Sequence, residues 1–181
     1  MATLRLALRD GFEAVTTDMI SAEAGISPRT FFNYFPNKEA ALIGPASELD
    51  CETIDWFAQG RGSIAEDFLA ILDRHFAEEP PERELLRGLH LLRTTSPQLE
   101  LVFARTMTRI MAQTSEGLQR RLGSGSSALA DLLAATLTQS VTTAMSHWVN
   151  DEEATVADLL TEVRRLLTAL AKQLNDLSAE R

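Results

Sequence analysis

Arg29, Thr30, Phe32 and Asn33 stand close enough in the chain to share the outward side of one short helix. An Arg guanidinium pairs bidentately with guanine and an Asn amide with adenine, while a Thr hydroxyl reaches phosphate or its methyl meets that of thymine. Thr16, Thr17, Ser27 and Tyr34 add hydroxyls suited to phosphate oxygens, and Lys38 adds a cation just past the helix. That chemistry is recognition of double-stranded DNA. Rival chemistries have little to stand on. His75, His90 and His147 lie far apart, and no CxxC, HExxH, phosphate loop or nucleophile elbow occurs. His75 with Glu78 or Glu79 reads as a solvated helix face. No catalytic residue, metal or cofactor is expected, and the chain does not read as an enzyme.

Two helices must position those residues. The first runs from about Thr17 to Ala24, capped by Thr16 or Thr17, and Gly25 makes a turn that needs positive φ. Ser27 caps the second, with Pro28 at its first position, where a missing N–H loses nothing. Pro36 bounds its end. Ile20, Ala24, Ile26, Phe31 and either Tyr34 or Phe35 are the expected inward residues, and Ser21 is small where the helices cross. The stretch Thr16–Lys38 thus reads as a helix-turn-helix.

Residues Ala2–Leu42 resemble the DNA-binding head of the TetR/AcrR family of bacterial transcriptional regulators. Leu6, Gly11 and Phe12 match the end of the family's first helix, and Thr16 the start of its second. Ala24-Gly25-Ile26-Ser27 matches its turn, and Thr30 to Glu39 its reading-helix signature. Phe32 stands where the family usually has Tyr, which removes a hydroxyl from the phosphate contacts. Members usually carry a further turn of helix 1 and a basic arm before it, so the N-terminus reads as shortened. The segment LLRGLHLLRTTSPQLELVFARTM is weakly similar to the effector domain of the mycofactocin-regulator type, which implies fatty acyl compounds as effectors.

The net charge is −9, from 17 basic and 26 acidic residues. Of these, Arg5, Arg9, Arg29 and Lys38 face five acidic residues within positions 1–45, so the acid belongs mainly to the rest of the chain. Unspecific attraction to DNA should be weak, and affinity should come from local contacts by two heads. A single cysteine, Cys51, excludes an internal disulfide and fits a reduced, cytoplasmic setting; it reads as a small buried hydrophobe. No run of 18 apolar residues suggests a membrane span.

Leu4, Leu6 and Leu8 are the expected buried side of helix 1, and Gly44-Pro45 the boundary of the head. Beyond it, helices are expected at 46–59, 64–79, 82–94 and 97–122, the last followed by the loop Gly123–Ser127. A cavity among the helices at 63–122 would be lined by Phe68, Leu72, Phe76, Leu89, Phe103, Met107, Ile110 and Met111. Arg87, His90, Arg105 and Arg109 could meet an anionic head group there. In the last two helices, Leu133, Leu137, Val141, Met145 and Trp148 form one apolar stripe. Leu159, Val163, Leu166 and Leu170 form another. Stripes that wide predict a homodimer closed by a four-helix bundle.

The sequence therefore predicts an all-α protein. A three-helix helix-turn-helix head (1–44) precedes a helical-bundle domain (45–181) for ligand binding and dimerisation. The expected activity is ligand-responsive transcriptional regulation: a repressor released from a palindromic operator by a small apolar or amphiphilic effector. The alternative is a helical small-molecule-binding module that has lost DNA binding.

Overall fold

The computed structural model describes residues 2–44, 49–123 and 125–179, and among these it is α-helical with no strand. The helices are α1 (Ala2–Asp10), α2 (Thr17–Ala24), α3 (Pro28–Tyr34), α4 (Lys38–Ile43), α5 (Cys51–Gln59), α6 (Ile64–Glu78), α7 (Arg83–Thr95), α8 (Pro97–Leu122), α9 (Ser127–Asn150) and α10 (Val156–Ala179). A 3₁₀ turn at Phe12–Ala14 joins α1 to α2. Packing divides the chain into two compact units, Met1–Glu48 with Glu82–Met107, and Leu49–Pro81 with Thr108–Arg181.

Local side-chain caps set most of the boundaries. Thr16 Oγ1 accepts the Met19 N–H at 3.2 Å, Ser27 Oγ that of Thr30 at 3.0 Å, and Asn37 Oδ1 that of Ala40 at 2.8 Å. Asp50 caps α5 through the Thr53 N–H at 2.7 Å, so that helix begins at Cys51. It was expected from Ala46, and the Ala46–Glu48 part of that expectation lies outside the described residues. Thr155 and Asp158 cap α10 reciprocally. The Asp158 N–H donates to the Thr155 hydroxyl at 3.2 Å, while the Thr155 N–H and hydroxyl each donate to the Asp158 carboxylate at 2.7 Å.

The first unit is built on Leu4, Leu6, Ala7, Phe12, Val15, Ile20, Phe31 and Leu42, which pack with Leu92 and Leu99 from α7 and α8; Leu85 and Leu89 close over them. The packing unit thus reaches beyond the division read at Gly44-Pro45, because the apolar side of α7 is spent on α1–α4. Gly88 lies against Leu4 so closely that a Cβ there would meet Leu4 Cδ1 at 2.5 Å. At the corner between α7 and α8, Ser96 Oγ donates to Glu13 Oε1 at 2.6 Å and accepts the Leu99 N–H at 3.3 Å. Leu8 was expected on the buried side of α1 but is 46% exposed, because the helix turns Leu4 and Leu6 inward instead.

The second unit packs Phe57, Phe68, Ile71, Leu118, Ala130, Ala134 and Leu137, with Leu49, Leu72, Leu133, Val141 and Leu167 against them. The Gln113 amide bonds both backbone groups of Leu49, each at 3.2 Å. Arg121 pairs with Asp67 at 2.7 Å and donates to the carbonyls of Phe57 and Gly62. This ties the α5–α6 turn to the end of α8. α9 and α10 form a helical hairpin closed by the Trp148 indole N–H, which donates to Thr155 O at 2.9 Å. Cys51 is exposed rather than buried, since it opens a capped helix at the surface.

Candidate nucleic-acid interface

The reading helix α3 is anchored by one ring and presents the others. Phe31 is 1% exposed, and Phe35, not Tyr34, completes the inward pair at 5.7 Å between ring centroids. Phe32 stands edge-on to Phe31 at 5.3 Å and is 54% exposed, and Tyr34 is 75% exposed. Arg29 and Asn33 are exposed beside them, with no side-chain polar group engaged by a described residue. Ser21 fits the crossing as expected, buried, with its hydroxyl donating to Thr17 O at 2.8 Å. Two inward expectations fail: Ala24 and Ile26 are exposed, because the left-handed Gly25 (φ 67°) swings the turn away from the core. Among the hydroxyls, Thr16 and Ser27 hold helix N-termini. Thr30 is half-buried, with its hydroxyl 2.9 Å from that of Ser27, and Thr17 is half-buried at the start of α2.

Lys38 lies otherwise than the sequence reading expects. It was expected to hold a phosphate, but its ammonium is turned into the head. It donates to the carbonyls of Phe12 at 2.9 Å, Val15 at 3.0 Å and Glu13 at 3.3 Å, and lies 4.5 Å from the centroid of the Phe12 ring. An ammonium has three N–H groups, and all three are engaged. Those carbonyls belong to the 3₁₀ turn and the residue that follows it, where a cation is electrostatically welcome.

The other cations of the head are engaged at its surface. Arg5 pairs with Glu23 at 3.0 Å and Arg9 with Asp10 at 2.8 Å. The Arg9 guanidinium, chiefly through its hydrogen bonds, holds the Asp10 carboxyl below its usual range and is itself raised. Of the four basic side chains in the first 44 residues, Arg29 alone has no such partner among the described residues.

The residues expected to line a ligand cavity fall into both units. Phe68, Leu72, Phe76, Ile110 and Met111 belong to the second, with Phe68 in its core. Arg87, His90, Phe103 and Met107 belong to the first, with Arg87 and His90 exposed on α7. Leu89 is committed to the head core. The Arg93 guanidinium lies 3.5 Å from the centroid of the Phe103 ring and bonds Glu100 at 2.7 Å, a clamp the sequence gave no sign of. A shallow depression of about 380 Å³ is lined by Gln119, Arg120, Gly123, Gly125 and Ser127, none of them an expected lining residue.

The expected dimer stripe is partly consumed within the chain. Leu137, Trp148, Leu159 and Val163 are buried in the second unit, and Leu133 and Val141 pack against its core. Met145 and Leu166 are half-buried, and Leu170 is 42% exposed. The large apolar side chains left exposed on the hairpin are Leu129, Leu132, Leu170, Leu174 and Leu177. They recur at helical spacing, toward the start of α9 and the end of α10.

Residues 1–43 match the family model for the bacterial regulatory proteins of the tetR family. In fold, the chain is similar to a TetR-family transcriptional regulator of Mesorhizobium loti MAFF303099, with a TM-score of 0.56, 18% identity, and coverage of 93% of this chain and 92% of that one. It is also similar to Thermus thermophilus FadR, a TetR-family transcriptional repressor solved with lauroyl-CoA. There the TM-score is 0.54 and the identity 24%, over 94% of this chain and 90% of that one. No curated protein matches the sequence. No described helix is long and apolar enough to cross a membrane.

Proposed function

We propose that this chain is a DNA-binding transcriptional regulator of the TetR family and that it is a repressor. As a homodimer it sets α3 into successive major grooves of a palindromic operator. The observation that carries the reading is the face of α3. Arg29 and Asn33 stand exposed and uncommitted on a helix capped at one end and pinned by Phe31. Arg29 and Asn33 read bases. Thr16, Thr17, Ser27, Thr30 and Tyr34 meet the backbone, and Phe32 contributes apolar contact. The division of roles follows the sequence, reading in 1–44 and response in 45–181, although residues 82–107 pack with the head.

Dimerisation uses the exposed leucines Leu129, Leu132, Leu170, Leu174 and Leu177 rather than the whole expected stripe. The effector is a small apolar or amphiphilic molecule. Thermus thermophilus FadR, of similar fold, was solved with lauroyl-CoA, and this supports a fatty acyl compound. Release requires only that the effector bind the non-reading state more tightly than the reading one.

Selection of binding sites from a random duplex pool tests the reading. Enrichment of a palindrome, lost on adding an acyl thioester, is the expected result. No enriched site, from a folded dimer, would shift the reading to a small-molecule-binding module.

A further inference from the structure

We propose that Lys38 is a positioning residue for DNA reading, holding the helix-turn-helix as a closed ring, and is not a phosphate contact. The inference rests on the DNA-reading role proposed above. Phe12, Glu13 and Val15, whose carbonyls take the three ammonium N–H groups, lie directly before Thr16, the cap of α2. Lys38 itself is the first residue of α4, just past α3. One side chain therefore joins the chain entering the motif to the chain leaving it, with α2, the turn and α3 suspended between. Phe31 fixes α3 to the core, with Phe35 packed beside it just past the helix end, and α3 has only seven residues. Its tilt is set by what holds its two flanks. Thr16 holds the entry by capping α2, and the Lys38 ammonium locks that entry to the exit. A phosphate could recruit the ammonium only by stripping it from these carbonyls, which would deprive the carbonyl of the buried Val15 of this donor.

The Lys38→Arg variant separates the two roles. An Arg keeps the charge and contacts phosphate at least as well as a Lys. Its planar fork cannot supply three N–H groups to acceptors gathered around one tetrahedral nitrogen. The probes are the duplex selected by the wild-type protein and a scrambled duplex of equal length, titrated over a range of salt concentrations. Circular dichroism fixes a temperature at which all variants are folded.

For Lys38→Arg, affinity for the selected duplex is expected to fall about tenfold or more, the worth of a misplaced base contact in each head. Affinity for the scrambled duplex stays unchanged. Lys38→Met gives the same pattern, with a salt slope close to that of the wild type. Full retention of specific affinity by Lys38→Arg overturns the proposal. So does an equal loss on both duplexes by Lys38→Met, with the slope falling by about 1.8 for two released phosphate contacts. A change confined to the melting temperature, with discrimination intact, also overturns it. A wild-type protein that prefers no duplex sinks the DNA-reading role itself, and this proposal with it.

Discussion

Replacing Gly88 by Ala should destabilise the protein, although the same change stabilises most helices. Gly88 sits inside α7, where Ala is favoured over Gly by about 1 kcal/mol. Against this stands Leu4. An added methyl would meet Leu4 Cδ1 at 2.5 Å, Cδ2 at 3.2 Å and Cγ at 3.3 Å, where carbon pairs settle at about 3.5–4.0 Å. Leu4 is 5% exposed among Phe12, Ile20 and Leu92, so it cannot swing into solvent. Overpacking of this kind costs about 1–3 kcal/mol, which leaves a net loss of up to about 2 kcal/mol. Leu4→Ala alone should cost about 2–5 kcal/mol. In that background the clash is gone, and Gly88→Ala should stabilise by up to about 1 kcal/mol. The sign of one substitution therefore reverses with its neighbour, a coupling a double-mutant cycle reads directly. Urea unfolding followed by circular dichroism, at one fixed protein concentration because a dimer's stability depends on it, measures all four proteins. Stabilisation by Gly88→Ala in the presence of Leu4 would refute the reasoning, since it would mean that the α1–α7 seam has room.

Three further outcomes follow from the same structure. Arg29→Ala should cost about 1–3 kcal/mol at one base position of each half-site and leave preference elsewhere intact; unchanged preference throughout would remove Arg29 from base reading. Leu132→Glu with Leu174→Glu changes side chains that are 65% and 56% exposed, so helical content should persist. Sedimentation should show a monomer, and a persisting dimer would exclude that face. The Asp158 carboxyl is held below its usual range, first by the Thr155 hydroxyl and then by the Thr155 N–H. A carboxyl lowered by folding adds stability above its unfolded pKa of about 4, and that stability is lost as the pH falls through the folded value. The melting temperature should therefore drop on acidification below about pH 4, and Asp158→Asn should shrink this drop; an identical acid profile for Asp158→Asn would contradict the cap.

The helix-turn-helix was legible because its signals are local. Thr16, Gly25, Ser27 and Pro28 each act within four residues of themselves, and each sits where the sequence placed it. Lys38 was not legible, because its acceptors lie 23 to 26 residues back and exist as a cluster only once the 3₁₀ turn forms. The apolar side of α7 was visible, yet amphipathicity names no partner, and the choice of α1 depended on the absence of a side chain at Gly88. The hairpin stripe was legible only in part, for a third reason. A wide apolar face announces burial without dividing it between one chain and two, so Trp148 and Val163 looked equivalent to Leu170. Leu132 and Leu174, further around the same helices, carry the exposure.

The first compact unit is discontinuous: the 33 residues Leu49–Pro81 of the other unit intervene between its two segments. Recombination that exchanges only the prefix of such a chain would separate Leu4 from Gly88 and Glu13 from Ser96. The crossover would join partners never fitted to each other. Lineages of this protein that shuffle operator preference should therefore do so by substitution on the face of α3, where the Arg29 and Asn33 side chains are exposed, rather than by trading whole heads. For the engineer the same feature sets the smallest transplantable piece: the first four helices together with α7 and the opening turns of α8.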